Sequence, residues 1–117
     1  MAEVRYDAAA IRVLPEVDSL LGLLNLVRQH PFLLRRRSVH DLLSFVDGWW
    51  IARCSVGRSP TDVEDFGVFC NWVRNHCKDR DQTSLTALIT SQVSDDLQAW
   101  EELFKLFDEW QQKKMSC

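Results

Sequence analysis

Apolar residues recur at three- and four-residue spacing along most of the chain, and that period belongs to one face of an α-helix. Pro15 opens the first such pattern, followed by Val17, Leu20, Leu21, Leu24 and Val27. Proline suits a first helical position because it has no N–H to satisfy. Pro31 predicts the stop, since it disfavours helical geometry at His30. A second pattern runs through Val39, Leu42, Leu43, Phe45, Val46, Trp49, Trp50 and Arg53. Ser38 is its predicted N-cap, Asp41 suits the positive end of the helix dipole, and Gly57 is its predicted C-terminal stop. Gly48 lies inside this helix, where glycine costs about 1 kcal/mol relative to alanine. Close approach of a neighbouring helix is the expected reason for it.

Ser59-Pro60-Thr61-Asp62 reads as a third helix start, leading to Val63, Phe66, Phe69, Cys70, Val73 and Cys77 on one face. A charged loop follows from Lys78 to Thr83, and then Leu85, Leu88, Ile89 and Val93 mark a short helix. Ser94 is the predicted cap of the last helix, with Asp95 and Asp96 in its first turn. Its expected inner face is Leu97, Trp100, Leu103, Phe104, Phe107 and Trp110, and Lys113 and Lys114 stand at the end where the dipole favours cations. No segment alternates apolar and polar residues long enough to predict a strand.

The prediction is an all-α chain: a single compact bundle of four to five helices. One domain is expected over residues 1–117, with 1–14 only partly ordered and 112–117 a frayed tail. Composition agrees with that reading. Four Gly and three Pro are few for 117 residues, which favours long helices over a chain of hairpins. Five Trp supply a small core with much of its burial.

Charge narrows the function. A net charge of −3 argues against nucleic acid as the partner, because phosphates demand a basic footprint. Neither a signal-peptide apolar run nor a stretch of about 20 apolar residues is present, so the expectation is a cytoplasmic chain with no membrane contact. In a reducing cytoplasm Cys54, Cys70, Cys77 and Cys117 are expected as free thiols, Cys54 and Cys70 as small core residues.

The residues that catalysis or metal binding would need are poorly spaced. Cys70, His76 and Cys77 lie close in sequence, yet adjacent helical residues point about 100° apart. The chain has no Cys-x-x-Cys and no His-x-x-x-His pair, so no metal site is predicted. Cys70 falls on an apolar face, where burial makes a thiol inert, and His40 falls at the boundary of its helix's apolar stripe. The many paired carboxylates fall on helix starts and polar faces rather than in a cleft that would hold one carboxylate apolar. No catalytic residue and no cofactor are expected.

Charge separation stands above this background. Arg28 to Arg37 carries four Arg, one His and no acid, while Ser94 to Trp110 carries six acids against the single Lys105. The dipole explains Asp95, Asp96 and Asp62, but Glu101, Glu102, Asp108 and Glu109 fall in turns where it no longer favours acids. An acidic helical face steers a basic protein partner and raises its on-rate. The candidate partner-binding residues are Asp62, Glu64, Asp65, Glu101, Glu102, Asp108 and Glu109. Arg35, Arg36 and Arg37 either bind an acidic partner or pair internally with that face.

Three stretches resemble a family of small helical bacterial proteins. His30-Pro31-Phe32-Leu33-Leu34, followed by Ser38 to Arg53, is similar to the family's Arg-Pro turn, hydrophobic triplet and helix reading Ser-Leu-x-x-Leu-x-x-Phe-Leu-x-Gly-Tyr. Phe66 to Val73 resembles its Phe-x-x-Phe-x-x-Trp-Val segment, and Glu102 to Trp110 its closing Phe-Phe-x-Leu-Leu-Asp-Glu-Phe. The chain departs from the pattern with His30 for the Arg, Trp49 for the Tyr, and Ser84-Leu85 where the family has Ser-Trp. Many members look like immunity proteins of toxin systems. The resemblance implies that this chain blocks a cognate toxin domain by stoichiometric occlusion, and basic nucleases are the toxin class whose charge an acidic face suits. The other expectation is a helical adaptor that binds a protein through an exposed patch around Trp49, Trp50 and Trp72.

Overall fold

The computed structural model describes residues 8–34, 36–78, 84–93 and 95–116. It is all-α, with helices α1 (Ala8–Val13), α2 (Leu20–Gln29), α3 (Val39–Ser55), α4 (Val63–His76), α5 (Leu85–Gln92) and α6 (Asp96–Ser116). Single 3-10 turns at Leu14–Glu16 and Pro31–Leu33 flank α2, and no strand occurs among the described residues. Five helices of eight or more residues match the predicted all-α class and the upper end of the predicted helix count. The chain's internal contacts group it into two compact units, Met1–Arg37 with Asp41–Val63, and Ser38–His40 with Glu64–Cys117. The predicted Ser94 cap, the Cys117 thiol and residues 79–83 of the charged loop lie outside the described residues.

In the first unit, α2 starts five residues later than the Pro15 pattern predicts. Leu14–Glu16 forms a 3-10 turn and Val17 takes extended backbone, with φ −75° and ψ 124°. Ser19 is the true N-cap: its Oγ accepts from the Gly22 N–H at 2.9 Å. The Asp62 carboxylate reaches the same helix start, accepting the Leu20 N–H at 2.6 Å and the Leu21 N–H at 2.9 Å. Three of the N–H groups that a helix leaves orphaned at its start are therefore satisfied by side-chain oxygens. Neighbouring Thr61 donates its N–H to the Asp18 carbonyl at 2.9 Å, so two consecutive residues fasten the segment before α4 to α2. Leu20, Leu23, Leu24 and Val27 then form one buried stripe. Pro31 ends α2 at Gln29 as predicted.

α3 ends on the predicted glycine. Gly57 has φ 74°, a left-handed conformation that costs glycine nothing. Its N–H donates to the Cys54 carbonyl at 3.1 Å and the Arg58 N–H donates to the Arg53 carbonyl at 2.9 Å, the paired bonds of a Schellman stop. Gly48 does not fit its expectation. It is exposed, and a Cβ built there would meet no atom within 4 Å, so no neighbouring helix requires a glycine. Gly48→Ala is therefore expected to raise stability by about 0.5–1 kcal/mol, read as a higher unfolding midpoint in denaturant. An unchanged or lower midpoint would count against an open surface there.

The second unit is built on aromatic packing between α4 and α6. Phe69 and Phe107 are fully buried and meet edge to face at 5.4 Å between ring centroids. Trp110 lies 5.3 Å from Phe69, and Phe104 lies 6.3 Å from Phe107. Such pairs contribute about 0.5–1.5 kcal/mol each beyond their area burial. The buried face of α6 comprises Ala99, Trp100, Leu103, Phe104, Leu106, Phe107 and Trp110. Leu97, predicted on that face, is 41% exposed instead. At 100° per residue it falls near the edge of the stripe, and Leu106 and Ala99 complete the face. α5 is capped by Ser84, whose Oγ accepts from the Ala87 N–H at 3.2 Å, and it buries Leu85, Leu88 and Ile89.

Candidate partner-binding surface

The outer side of α6 follows from its inner one. At 3.6 residues per turn, positions 101, 102, 105, 108 and 109 lie opposite the buried stripe, so the polar residues there face away from the core. Glu101 and Asp108 share one line along the helix, and Glu102 and Glu109 share a second, about 100° round. Each line spaces its two carboxylates by roughly 10 Å. Lys105 stands between the lines, one turn from all four acids. Glu101 and Lys105 are exposed, while Glu102, Asp108 and Glu109 are half-buried. Glu101, Glu102, Glu109 and Lys105 have no ion-pair partner within 4.0 Å among the described residues. The face therefore presents three carboxylates without an ion-pair partner among the described residues, those of Glu101, Glu102 and Glu109.

The remaining candidates divide between two roles. Glu64 and Asp65 are exposed in the first turn of α4, and Asp65 pairs with Lys114 of α6 at 3.3 Å. That pair is half exposed on both sides, so it contributes at most about 1 kcal/mol. It nevertheless ties the start of α4 to the last turn of α6. Asp62 belongs to the other unit, and both its carboxylate oxygens are engaged in the α2 cap.

Of the basic run, Arg36 donates its Nε to Asp41 at 3.0 Å, Arg37 is exposed, and Arg35 lies outside the described residues. Asp41 is thus paired with the segment just before α3, in addition to its place in that helix's first turn.

The tryptophans also separate. Trp100 and Trp110 are buried, and Trp49, Trp50 and Trp72 are half-buried. Trp49 and Trp50 belong to the first unit, where the Arg53 guanidinium lies 5.2 Å from the Trp49 ring centre. Trp72 belongs to the second, stacked on His76 at 5.0 Å with Lys113 5.5 Å from its centre.

Sequence reasoning missed a groove on α3. Asp47, Trp50, Ile51 and Cys54 line an open depression of about 320 Å³. Cys54, expected in the core, is exposed with its Sγ 3.5 Å from the Ser59 Oγ, and His40, expected at a boundary, is exposed as well. The signal was present in the sequence. Trp49, Trp50 and Ile51 are consecutive, and at 100° per residue three neighbours cannot all turn inward.

Among the described residues no three His, Cys, Asp or Glu side chains gather as a metal site would require. No described helix is long and apolar enough to cross a membrane. Comparison with family models, with curated proteins and with solved structures gives no match.

Proposed function

We propose that this chain is an immunity-type protein that binds a cognate toxin domain and neutralises it by stoichiometric occlusion, without a catalytic step or cofactor. The observation that carries the reading is the outer face of α6, where Glu101, Glu102 and Glu109 have no ion-pair partner among the described residues. Carboxylates left unpaired in mid-helix do not serve the helix dipole, and no internal ion pair has to be broken before they meet a basic partner. A basic toxin, such as a nuclease domain that holds phosphate, meets this face with complementary charge and has its own binding cleft covered. The resemblance of the motif stretches to immunity proteins supports the same reading.

The test is to express the chain with toxin domains of basic nuclease type, and to measure growth protection and binding. Glu101→Lys with Glu109→Lys is expected to lower the association rate by at least about tenfold at low salt. The gap between variant and wild type should narrow as ionic strength rises, since screening removes the steering field. Helix content should not change, because neither side chain makes an interaction that the fold needs. Equal association rates for variant and wild type at low salt would remove α6 from the interface.

A further inference from the structure

The turn after α2 presents an aromatic ring among cations. Phe32, the middle residue of the 3-10 turn Pro31–Leu33, is 65% exposed. It is the only exposed Phe or Trp among the described residues. The backbone beside it is held. The Leu33 N–H donates to the His30 carbonyl at 3.1 Å, the Leu34 N–H donates to the Pro31 carbonyl at 3.0 Å, and Leu34 is buried. The ring therefore stands on a fixed turn. Arg28, Arg36 and Arg37 are exposed within five residues of it, in the same compact unit. Four residues of chain span at most about 14 Å, so Arg28 and Arg36 lie within that distance of Phe32, Cα to Cα. Arg36 pairs with Asp41, yet its side chain remains 65% exposed, and an exposed pair of this kind contributes little. Arg37 has no ion-pair partner among the described residues. The sequence carries no acid from Ser19 to His40.

We propose that this turn is a peripheral docking point for an anionic phospholipid surface, with Phe32 entering the headgroup layer and Arg28, Arg36 and Arg37 held at the phosphates. The two components of the patch match the two components of that partner. An exposed ring gains by leaving water for the acyl boundary, and guanidinium groups match phosphate geometry and stay charged. Each basic residue near an anionic membrane adds to the attraction, and the ring adds its buried apolar area. A single ring on a three-residue turn suits a fluid layer that yields around it. An acidic protein would instead need a pocket shaped for the ring. One ring and three guanidinium groups give weak, reversible adsorption, and a membrane-crossing helix plays no part in it. The proposal uses no residue of the α6 face and does not depend on the toxin-binding reading.

Flotation of the full chain with vesicles tests this, comparing an equal mixture of phosphatidylglycerol and phosphatidylcholine with phosphatidylcholine alone at low ionic strength. The chain should float with the anionic vesicles and bind pure phosphatidylcholine at least about tenfold more weakly, and added salt should release it. Arg37→Glu should weaken binding to the anionic vesicles by about tenfold or more, because one charge is reversed. Phe32→Ser should weaken it by about fivefold or more at every salt concentration where binding is measurable, because the ring's contribution is apolar. Both positions are exposed, and circular dichroism checks that each variant keeps its helix content. A wild type that does not float with anionic vesicles would overturn the proposal. So would equal binding to the two vesicle compositions, or Phe32→Ser floating as well as the wild type, since charge alone would then explain the adsorption. Salt-sensitive binding of soluble polyglutamate without vesicle binding would overturn it too, and would assign the turn to an acidic protein.

Discussion

Phe107→Ala should lower the stability of the chain by about 3–5 kcal/mol, the largest loss expected from any single truncation described above. Phe107 is fully buried, and its ring meets Phe69 at 5.4 Å, Phe104 at 6.3 Å and Trp110 at 6.4 Å. Truncation removes the transfer free energy of the ring and leaves a cavity lined by three other aromatic side chains, which are too rigid to collapse into it. Ordinary domains are stable by only about 5–15 kcal/mol, so the variant should be largely unfolded at mild denaturant. Urea unfolding followed by far-ultraviolet circular dichroism measures the shift. Leu97→Ala on the same helix is the control, with an expected change within about 0.5 kcal/mol because Leu97 is exposed. Similar losses for the two would mean that the buried side of α6 has been wrongly placed.

Asp62→Ala is expected to cost about 2–3 kcal/mol. Its carboxylate accepts two backbone N–H groups, from Leu20 and Leu21, in a part-buried setting. Hydrogen bonds to a charged group contribute about 1.5–3 kcal/mol each, and part of that is recovered when water reaches the freed N–H groups. The positive end of the α2 dipole adds to the preference for a carboxylate there. Asp62→Asn should lose less, because the amide keeps one acceptor oxygen and gives up the charge. Ser19→Ala removes only one cap bond, to Gly22, and should cost about 1 kcal/mol. The discriminating result is the ordering, read from the same denaturation curves: Asp62→Ala worst, Asp62→Asn intermediate and Ser19→Ala mildest. A neutral Asp62→Ala would dissolve the clamp.

The helices were legible because their information is local. Leu20, Leu24 and Val27 repeat at helical spacing and are buried, and Trp100, Leu103, Phe104, Phe107 and Trp110 do the same on α6. Gly57 could be read as a stop because a left-handed residue is needed at one position just past a helix end. The start of α2 could not be read correctly. Pro15 satisfies the rules for a first turn, but the groups that fix the start are the Ser19 hydroxyl and a carboxylate 41 and 42 residues away in sequence. No local pattern announces such a contact, so Asp62 looked like one more surface acid. The outer side of α3 was missed for a different reason. Its apolar residues surround the helix, so periodicity does not say which of them turn inward. The acidic line of Glu101, Glu102, Asp108 and Glu109 was visible because α6 is amphipathic enough to sort its residues by face. The half-burial of three of those acids depends on packing, which composition does not record.

The fastening of α2 by Thr61 and Asp62 also bears on how the first unit assembles. It joins positions more than 40 residues apart, and closing a chain segment of that length costs about 3 kcal/mol from the logarithmic term alone. A contact that carries this closure cost and returns only a few hydrogen bonds is expected to form after the transition state rather than within the folding nucleus. Loss of the clamp should then leave the refolding rate nearly unchanged and appear almost wholly as faster unfolding. The native lifetime of the molecule would thus be set in good part by one carboxylate holding a helix start that its own sequence neighbours cannot fully cap.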